Sequence, residues 1–193
     1  MDTVDDPGIQ DVRGASRVMI IDTRQYRPDL AKKSADAKGI RWESHNQVVN
    51  EIRDKTKGYG AAVVVETVGF EPDRSLGDRA KAVLNIEKGS DKVLLACLSA
   101  VRRGGFVSVL GVYSPPFDNF PIHQFFDKGI IMQSGQAPAH KHIDKLLKPV
   151  ANGDVRLDDI ILHRLPLSQA PHGYDIFRHK KDNCTKVVLK PGA

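Results

Sequence analysis

Runs of consecutive apolar residues, rather than alternating ones, mark the strands that this sequence predicts. Residues 18–21 read VMII, residues 61–65 read AAVVV, and the segments FVSVLG (106–111) and GIIMQSG (129–135) follow later in the chain. Segments with helical spacing or helix-ending glycines separate these runs. A strand that is covered on both faces has no polar side to alternate with, so the pattern predicts an α/β fold with a parallel sheet between two layers of helices.

The remaining elements follow from caps and spacing. A helix is expected over 46–57, with Val48, Val49 and Ile52 on one face. A second helix is expected to begin at Ser90 or Asp91 and to end at Gly104–Gly105, and one of its faces carries Leu94, Cys97, Leu98 and Val101. A further helix is expected from near Pro28 to a cap at Gly39, with a short strand at IRWES after it. Towards the C-terminus we expect a helix over 141–151, a strand-like IILHRL, a helix from Ser168 to Phe177 and a closing strand in TKVVLKP. Residues 71–89 give no interpretable pattern.

Composition excludes several classes of function. The net charge is +5, but the basic residues are scattered among acids, so no nucleic-acid partner is expected. Two cysteines give neither a disulfide framework nor a zinc motif, which favours a cytoplasmic protein. No apolar stretch reaches the ~20 residues that cross a bilayer, so no membrane association is expected.

His140 and His142 lack companion ligands, and no nucleophile–base grouping is apparent, so we predict no metal site and no catalytic residue.

Asp22, directly after the first apolar run, is the best candidate for binding a cofactor. A carboxylate at the end of the second strand of a dinucleotide-binding fold accepts hydrogen bonds from the adenosine ribose and repels a 2′-phosphate. This position favours NAD over NADP, although Arg24 two residues later weakens the argument. The alternative is a turn-forming aspartate at a strand exit.

The order RGASRVMIID, AAVVVETVG, LSAVRRGGFVSVLGVY, SGQ and LPLSQAPHGYDIFRHKKDNCTKVVLKP resembles the cofactor-binding half of zinc-dependent medium-chain alcohol dehydrogenases. It is most similar to the branch that includes glutathione-independent formaldehyde dehydrogenases. The resemblance implies a doubly wound, Rossmann-like, mostly parallel sheet and an NAD cofactor. The residues that it places at the cofactor are Asp22, Arg24, Val68, Gly69, Gly111, Val112, Ser134, Gly135, Gln136 and Lys186. Ordinary turns, or a solvated strand lysine at Lys186, are the alternatives.

The departures from that family are equally informative. Its separate catalytic domain, which carries the zinc ligands, has no counterpart here, and no glycine-rich turn precedes Arg13. We therefore expect residues 1–12 to lie outside the family pattern and residues 13–193 to form a truncated NAD-binding domain that lacks the first strand, with zinc belonging only to the full-length family. Since that strand is central in the order 3-2-1-4-5-6, we expect the sheet to close by pairing 17–22 directly with 61–66.

Three functional hypotheses follow. The first is the NAD-binding domain of an alcohol or aldehyde dehydrogenase, inactive as an isolated chain, so that its standing as an enzyme stays open. The second is a non-catalytic nucleotide-binding or assembly module derived from such an enzyme. The third, another Rossmann-like class such as a methyltransferase, ranks last because it needs its own glycine-rich motif. Aromatic residues within 113–126 suggest a homo-oligomer through that segment, with simple core packing as the alternative.

Overall fold

The computed structural model describes residues 14–35, 37–68, 88–113 and 120–192. The helices are α1 (Tyr26–Ala35), α2 (His45–Lys55), α3 (Lys88–Ala100), α4 (Ile122–Lys128), α5 (Ala139–Ala151) and α6 (Ala170–Arg178). The strands are β1 (Met19–Asp22), β2 (Lys38–Arg41), β3 (Ala61–Glu66), β4 (Val101–Val109), β5 (Ile131–Ser134), β6 (His163–Pro166) and β7 (Val187–Lys190). Short 3-10 helices span Asp158–Ile160 and Leu167–Gln169. Every strand pairing is parallel, which confirms the predicted α/β class.

The described residues pack as two compact units, one within 1–41 and 138–193 and the other within 42–137. In the first unit β1 pairs with β2, and Met19 lies opposite Lys38. A second parallel pair, β6 with β7, brings His163 opposite Val187. The Tyr26 hydroxyl donates to the carbonyl oxygen of Cys184 at 3.2 Å, which joins α1 to the segment that precedes β7.

The second unit is a three-stranded sheet in the order β3-β4-β5. The Ser44 side chain caps α2 by accepting from the N–H of Gln47, and Val48, Val49 and Ile52 are buried as their spacing predicts. Between α3 and the sheet lies a cluster of buried side chains: Leu94, Cys97, Leu98, Val101, Val107, Val109 and Ile130. Leu94, Cys97 and Leu98 are therefore buried on one face of α3 as predicted, whereas Val101, which was predicted to share that helix face, lies in β4.

The expected direct pairing of residues 17–22 with 61–66 is wrong. In the described part of the chain β1 is hydrogen-bonded to β2 alone, and β3 to β4 alone. The second edge of β3 is left without a strand partner there, and Val63 on this strand is exposed. The cost that we expected to force closure applies only to backbone groups that are both unpaired and buried, and Ala62 and Val63 of β3 are exposed.

Several predicted boundaries were also wrong. Gly39 does not cap α1; it lies inside β2, where a Cβ would come within 2.6 Å of the Cβ of Pro28. Helix α3 begins at Lys88 and ends at Ala100, so Gly104 and Gly105 belong to β4. Strand β5 is not a core strand, since all four of its side chains are exposed.

Among the described helices, none combines the length and the hydropathy that crossing a bilayer requires.

Candidate functional site

The carboxyl ends of β3, β4 and β5 meet at one edge of the three-stranded sheet. Glu66 lies opposite Val109, and Val109 lies opposite Ser134, so the three strands end in register. The turns that follow carry Val68, Gly111 with Val112, and Gly135 with Gln136. Ligands of open parallel sheets bind at this end because the strand exits leave a crevice there.

Two of these turns are linked through one residue, Glu66. Its carboxylate Oε1 accepts the Val68 N–H at 2.7 Å, and its main-chain oxygen accepts the N–H groups of Leu110 at 2.8 Å and Gly111 at 3.2 Å. Sequence reasoning missed Glu66, although a carboxylate that ends an apolar run is the same signal that identified Asp22. The structure therefore brings Val68 and Gly111 together, with a buried carboxylate between them.

The exposed side chains at this edge are mostly apolar. Val68 is 47% exposed and Val112 is 64% exposed. Ser134, Gly135 and Gln136 are all exposed, and Gly135 has a φ of +153° that disfavours a side chain even though the space around it is open. The edge thus presents an accessible surface of aliphatic groups and short polar groups. The predicted contact at Gly69 lies outside the described residues.

Asp22 belongs to the other unit, at the carboxyl end of β1. Its Oδ1 accepts the Arg24 N–H at 2.8 Å and its Oδ2 accepts Nη1 of Arg27 at 2.9 Å. Each carboxylate oxygen can accept two hydrogen bonds, so this arrangement keeps acceptor capacity for ribose hydroxyls. Lys186, the remaining candidate in this unit, is exposed and directly precedes β7, on a sheet different from that of Asp22.

The described residues bring together no cluster of metal ligands, and the Cys97 thiol is buried. No three His, Cys, Asp or Glu side chains converge to hold a metal ion within 14–35, 37–68, 88–113 and 120–192, so these residues do not fit a catalytic zinc. Cys97 is buried, and its pKa is raised from 9.0 to about 12, first by burial and then by the negative charge of Glu66. A thiol of this kind is a poor nucleophile, because the thiolate is the reactive form.

Comparison with known proteins gives relatives that are named as dehydrogenases or dehydrogenase-like proteins. No protein-family model matches the chain. An uncharacterized zinc-type alcohol dehydrogenase-like protein of Bacillus subtilis, AdhB, is 36% identical over 180 residues, which are 93% of this chain and 47% of the relative. An L-threonine 3-dehydrogenase of Bacillus licheniformis is 26% identical over 182 residues, 92% of this chain and 45% of that protein.

A solved structure of an alcohol dehydrogenase is also similar to this chain. The alcohol dehydrogenase TADH from Thermus sp. ATN1 has a TM-score of 0.74 and 30% sequence identity, and the match covers 96% of this chain and 46% of that one. The chain spans about half the length of the curated relatives that it matches. Over nearly its whole length, this chain is similar to about half of a zinc-type alcohol dehydrogenase and shares its Rossmann-like fold.

Proposed function

We propose that this chain is the NAD-binding part of an alcohol or aldehyde dehydrogenase of the formaldehyde dehydrogenase branch, and that it performs no chemistry of its own. The observation that carries this proposal is the shared edge at which β3, β4 and β5 end, with Val68 and Gly111 on its turns and Ser134 at the end of β5. NAD, when bound in a complete enzyme, exchanges a hydride with a small alcohol or aldehyde. This chain's part is to hold the cofactor.

The residues present fit the nucleoside portion of NAD better than its pyrophosphate. In the first unit, Asp22 retains acceptor capacity for ribose hydroxyls. In the second unit, taken by itself, the exposed aliphatic side chains of Val68 and Val112 suit a flat ring. Arg24 and Lys186 are the cations proposed to lie near the cofactor. The sequence contains no G-x-G-x-x-G turn, whose backbone N–H groups cradle the pyrophosphate. We therefore expect affinity for NAD in the millimolar range, and an affinity too weak to measure would favour the second candidate function given below.

Calorimetry with NAD and NADP tests the proposal directly. We expect weak binding of NAD by the wild type and weaker binding of NADP, because the Asp22 carboxylate opposes a 2′-phosphate by about 1–3 kcal/mol. Asp22→Ala should reduce this preference, and Asp29→Ala, an exposed acid on α1, serves as the control. Equal affinities for the two cofactors in the wild type would contradict the role of Asp22. Micromolar NAD binding would show that another loop supplies the phosphate cradle.

We also propose a homo-oligomer built on α4 and β5, within and next to the segment 113–126. Ile122, Phe126 and Ile131 are exposed there, Phe126 to 86%, and an open apolar groove runs past Phe125 and Ile130. Exposed apolar surface of this density is typical of an interface. Phe117, another aromatic residue of this segment, lies outside the described residues. Phe120 packs against the buried cluster and against the ring of Phe125, so it is unsuitable for a surface mutation.

Sedimentation of Phe126→Asp tests the interface. We expect the variant to have a lower mass than the wild type at the same concentration. The control is Tyr174→Asp, at an aromatic residue on α6 that is 73% exposed, and it should sediment like the wild type. If the wild type is monomeric at every concentration, the interface does not exist.

A second candidate function is an assembly module without nucleotide binding. The hydrogen bonds that already engage Asp22, from Arg24 and Arg27, favour this alternative, because a nucleotide has to add to them. Self-association together with no heat of NAD binding at several millimolar would support it over the first proposal.

A further inference from the structure

Glu66 is a charged residue in a buried position. It ends β3, and its side chain is only 2% exposed, which makes it one of the largest fully buried side chains that the structure describes. The other buried polar residue among the described positions is Thr185, which donates from Oγ1 to the Ile160 carbonyl oxygen in the other unit. Glu66 is thus a buried carboxyl group at the sheet edge where the candidate nucleotide contacts lie.

Burial of this carboxylate carries a cost in stability. The buried cluster on the α3 side of the sheet includes Val109, opposite Glu66, and Cys97, whose pKa the Glu66 charge helps to raise. Placing a charge beside apolar side chains is unfavourable unless hydrogen bonds compensate for the lost water. An aliphatic residue of similar size would fill this space at lower cost. Packing alone therefore does not account for a carboxylate here.

The hydrogen bonds of Glu66 suggest what it does instead. Oε1 fixes the Val68 N–H two residues along the chain, and the main-chain oxygen accepts from both Leu110 and Gly111 after β4. The side chains of Val68 and Val112 are exposed above these bonds. A turn that exposes an aliphatic side chain has little packing to hold it, so its geometry depends on such backbone hydrogen bonds.

We propose that Glu66 is a positioning residue that sets the β3 exit turn relative to the β4 exit turn and so shapes the surface that receives a flat ring of a nucleotide. The inference rests on the proposed function, since Val68, Gly111 and Val112 are the contacts through which it acts. Glu66 itself lies beneath this surface and does not touch the ligand. Its two main-chain bonds, from Leu110 and Gly111, do not depend on the side chain, whereas its side-chain bond to Val68 is lost when the acceptor is removed.

Hydrogen exchange followed by NMR tests the positioning. In the wild type the Val68 amide should exchange at least roughly tenfold more slowly than an unprotected amide, despite the exposed side chain. Glu66→Leu should remove most of this protection at Val68 and leave the amides of α2 unchanged. Glu66→Gln, which keeps an acceptor oxygen at Oε1, should restore protection to within a few-fold of the wild type. Thr185→Val, which removes the other buried polar group, should not alter exchange at Val68.

Titration with NAD, followed through the Val68 and Val112 resonances, links the turn to binding. We expect Glu66→Leu to weaken the response at least roughly fivefold and Glu66→Gln to restore it. An unprotected Val68 amide in the wild type, or equal protection in the wild type and Glu66→Leu, overturns the inference; the wild-type measurement decides even if the leucine variant does not fold. A protected Val68 with no response to NAD contradicts the proposed function alone. A response to NAD that is equal in all variants contradicts the role of Glu66 in binding.

Discussion

Asp22 and Arg27 form an ion pair of 2.9 Å at the end of β1, with side chains that are 22% and 13% exposed. The guanidinium also lies over the ring of Tyr26, at 5.8 Å from its centroid. Arg27 lies in the first turn of α1, so the pair connects the start of that helix to the strand before it. The residue proposed to select the cofactor is therefore held in place by the helix that follows it.

Arg27→Leu is predicted to destabilise the fold by about 1–3 kcal/mol, because the mostly buried Asp22 carboxylate then loses a charged partner. Urea unfolding measures the difference. The control is Arg103→Leu, which removes an ion pair with Asp127 whose two side chains are both 69% exposed. Solvent screens that pair, so the control should have the smaller effect. Equal losses in the two variants would show that burial of the Asp22 pair contributes nothing.

The sequence predicted the parts of this fold that depend on local pattern. AAVVVE forms β3 as predicted, and Val48, Val49 and Ile52 are buried on one face of α2. Both results follow from residues that are near neighbours in the chain.

The features that sequence reasoning did not predict depend on contacts between residues that are far apart in the chain. Gly39 suits a helix cap by type, yet it lies in β2, where the close approach of Pro28 requires a glycine. The role of Glu66 in joining two turns depends on the register that sets it opposite Val109, and no local pattern contains that register.

Gly60→Ala is predicted to destabilise the second unit by about 2–4 kcal/mol. Its φ is +91°, and a Cβ would come within 2.5 Å of the Ala100 carbonyl oxygen at the junction of α3 and β4. Gly58→Ala is a matched control, because Gly58 has a φ of +86° but open space around it. That variant bears only the conformational cost, about 1–2 kcal/mol. Thermal unfolding of both variants makes the comparison, and a smaller loss at Gly60 than at Gly58 would contradict the close contact.

Cys97 is predicted to make stability fall as the pH rises from about 9 to 12. The pKa of this thiol is 9.0 in its ordinary state and about 12 in the fold, so the folded state keeps a proton that the unfolded state releases. The resulting slope approaches about 1.4 kcal/mol per pH unit within that window. Cys97→Ala should lack this contribution.

The difference in unfolding free energy between the wild type and Cys97→Ala isolates the thiol from other titrating groups. This difference should be constant below pH 8 and should shift against the wild type at higher pH. A thiol-specific reagent at pH 8 should react with Cys97 far more slowly in the native protein than in urea. Rapid native labelling, or a pH-independent difference, would contradict the burial of Cys97.

Lys128, the last residue of α4, joins that helix to the end of α3. Its Nζ donates to the carbonyl oxygens of Leu98 at 2.8 Å, Ser99 at 2.9 Å and Val101 at 3.0 Å. The last carbonyls of a helix have no partner within it, and a cation there also opposes the partial negative charge of the helix end. Lys128→Met is therefore predicted to cost about 1–2 kcal/mol near neutral pH. Lys92→Met, at an exposed lysine on α3, is the control and should have little effect.

The contribution of Lys128 to stability is also predicted to depend on pH, and the direction follows from its pKa. Burial, and then the charges of Arg53 and Arg103, lower the pKa of Lys128 below its ordinary 10.5. Between the lowered pKa and 10.5 the unfolded chain binds more protons than the folded one, so the contribution of Lys128 to stability grows as the pH rises through that window. The advantage of the wild type over Lys128→Met, measured by urea unfolding at a series of pH values, should therefore widen as the pH approaches 10.5. An advantage that narrows there would mean that the three carbonyl oxygens favour the charged amine more strongly than burial and the charges of Arg53 and Arg103 oppose it.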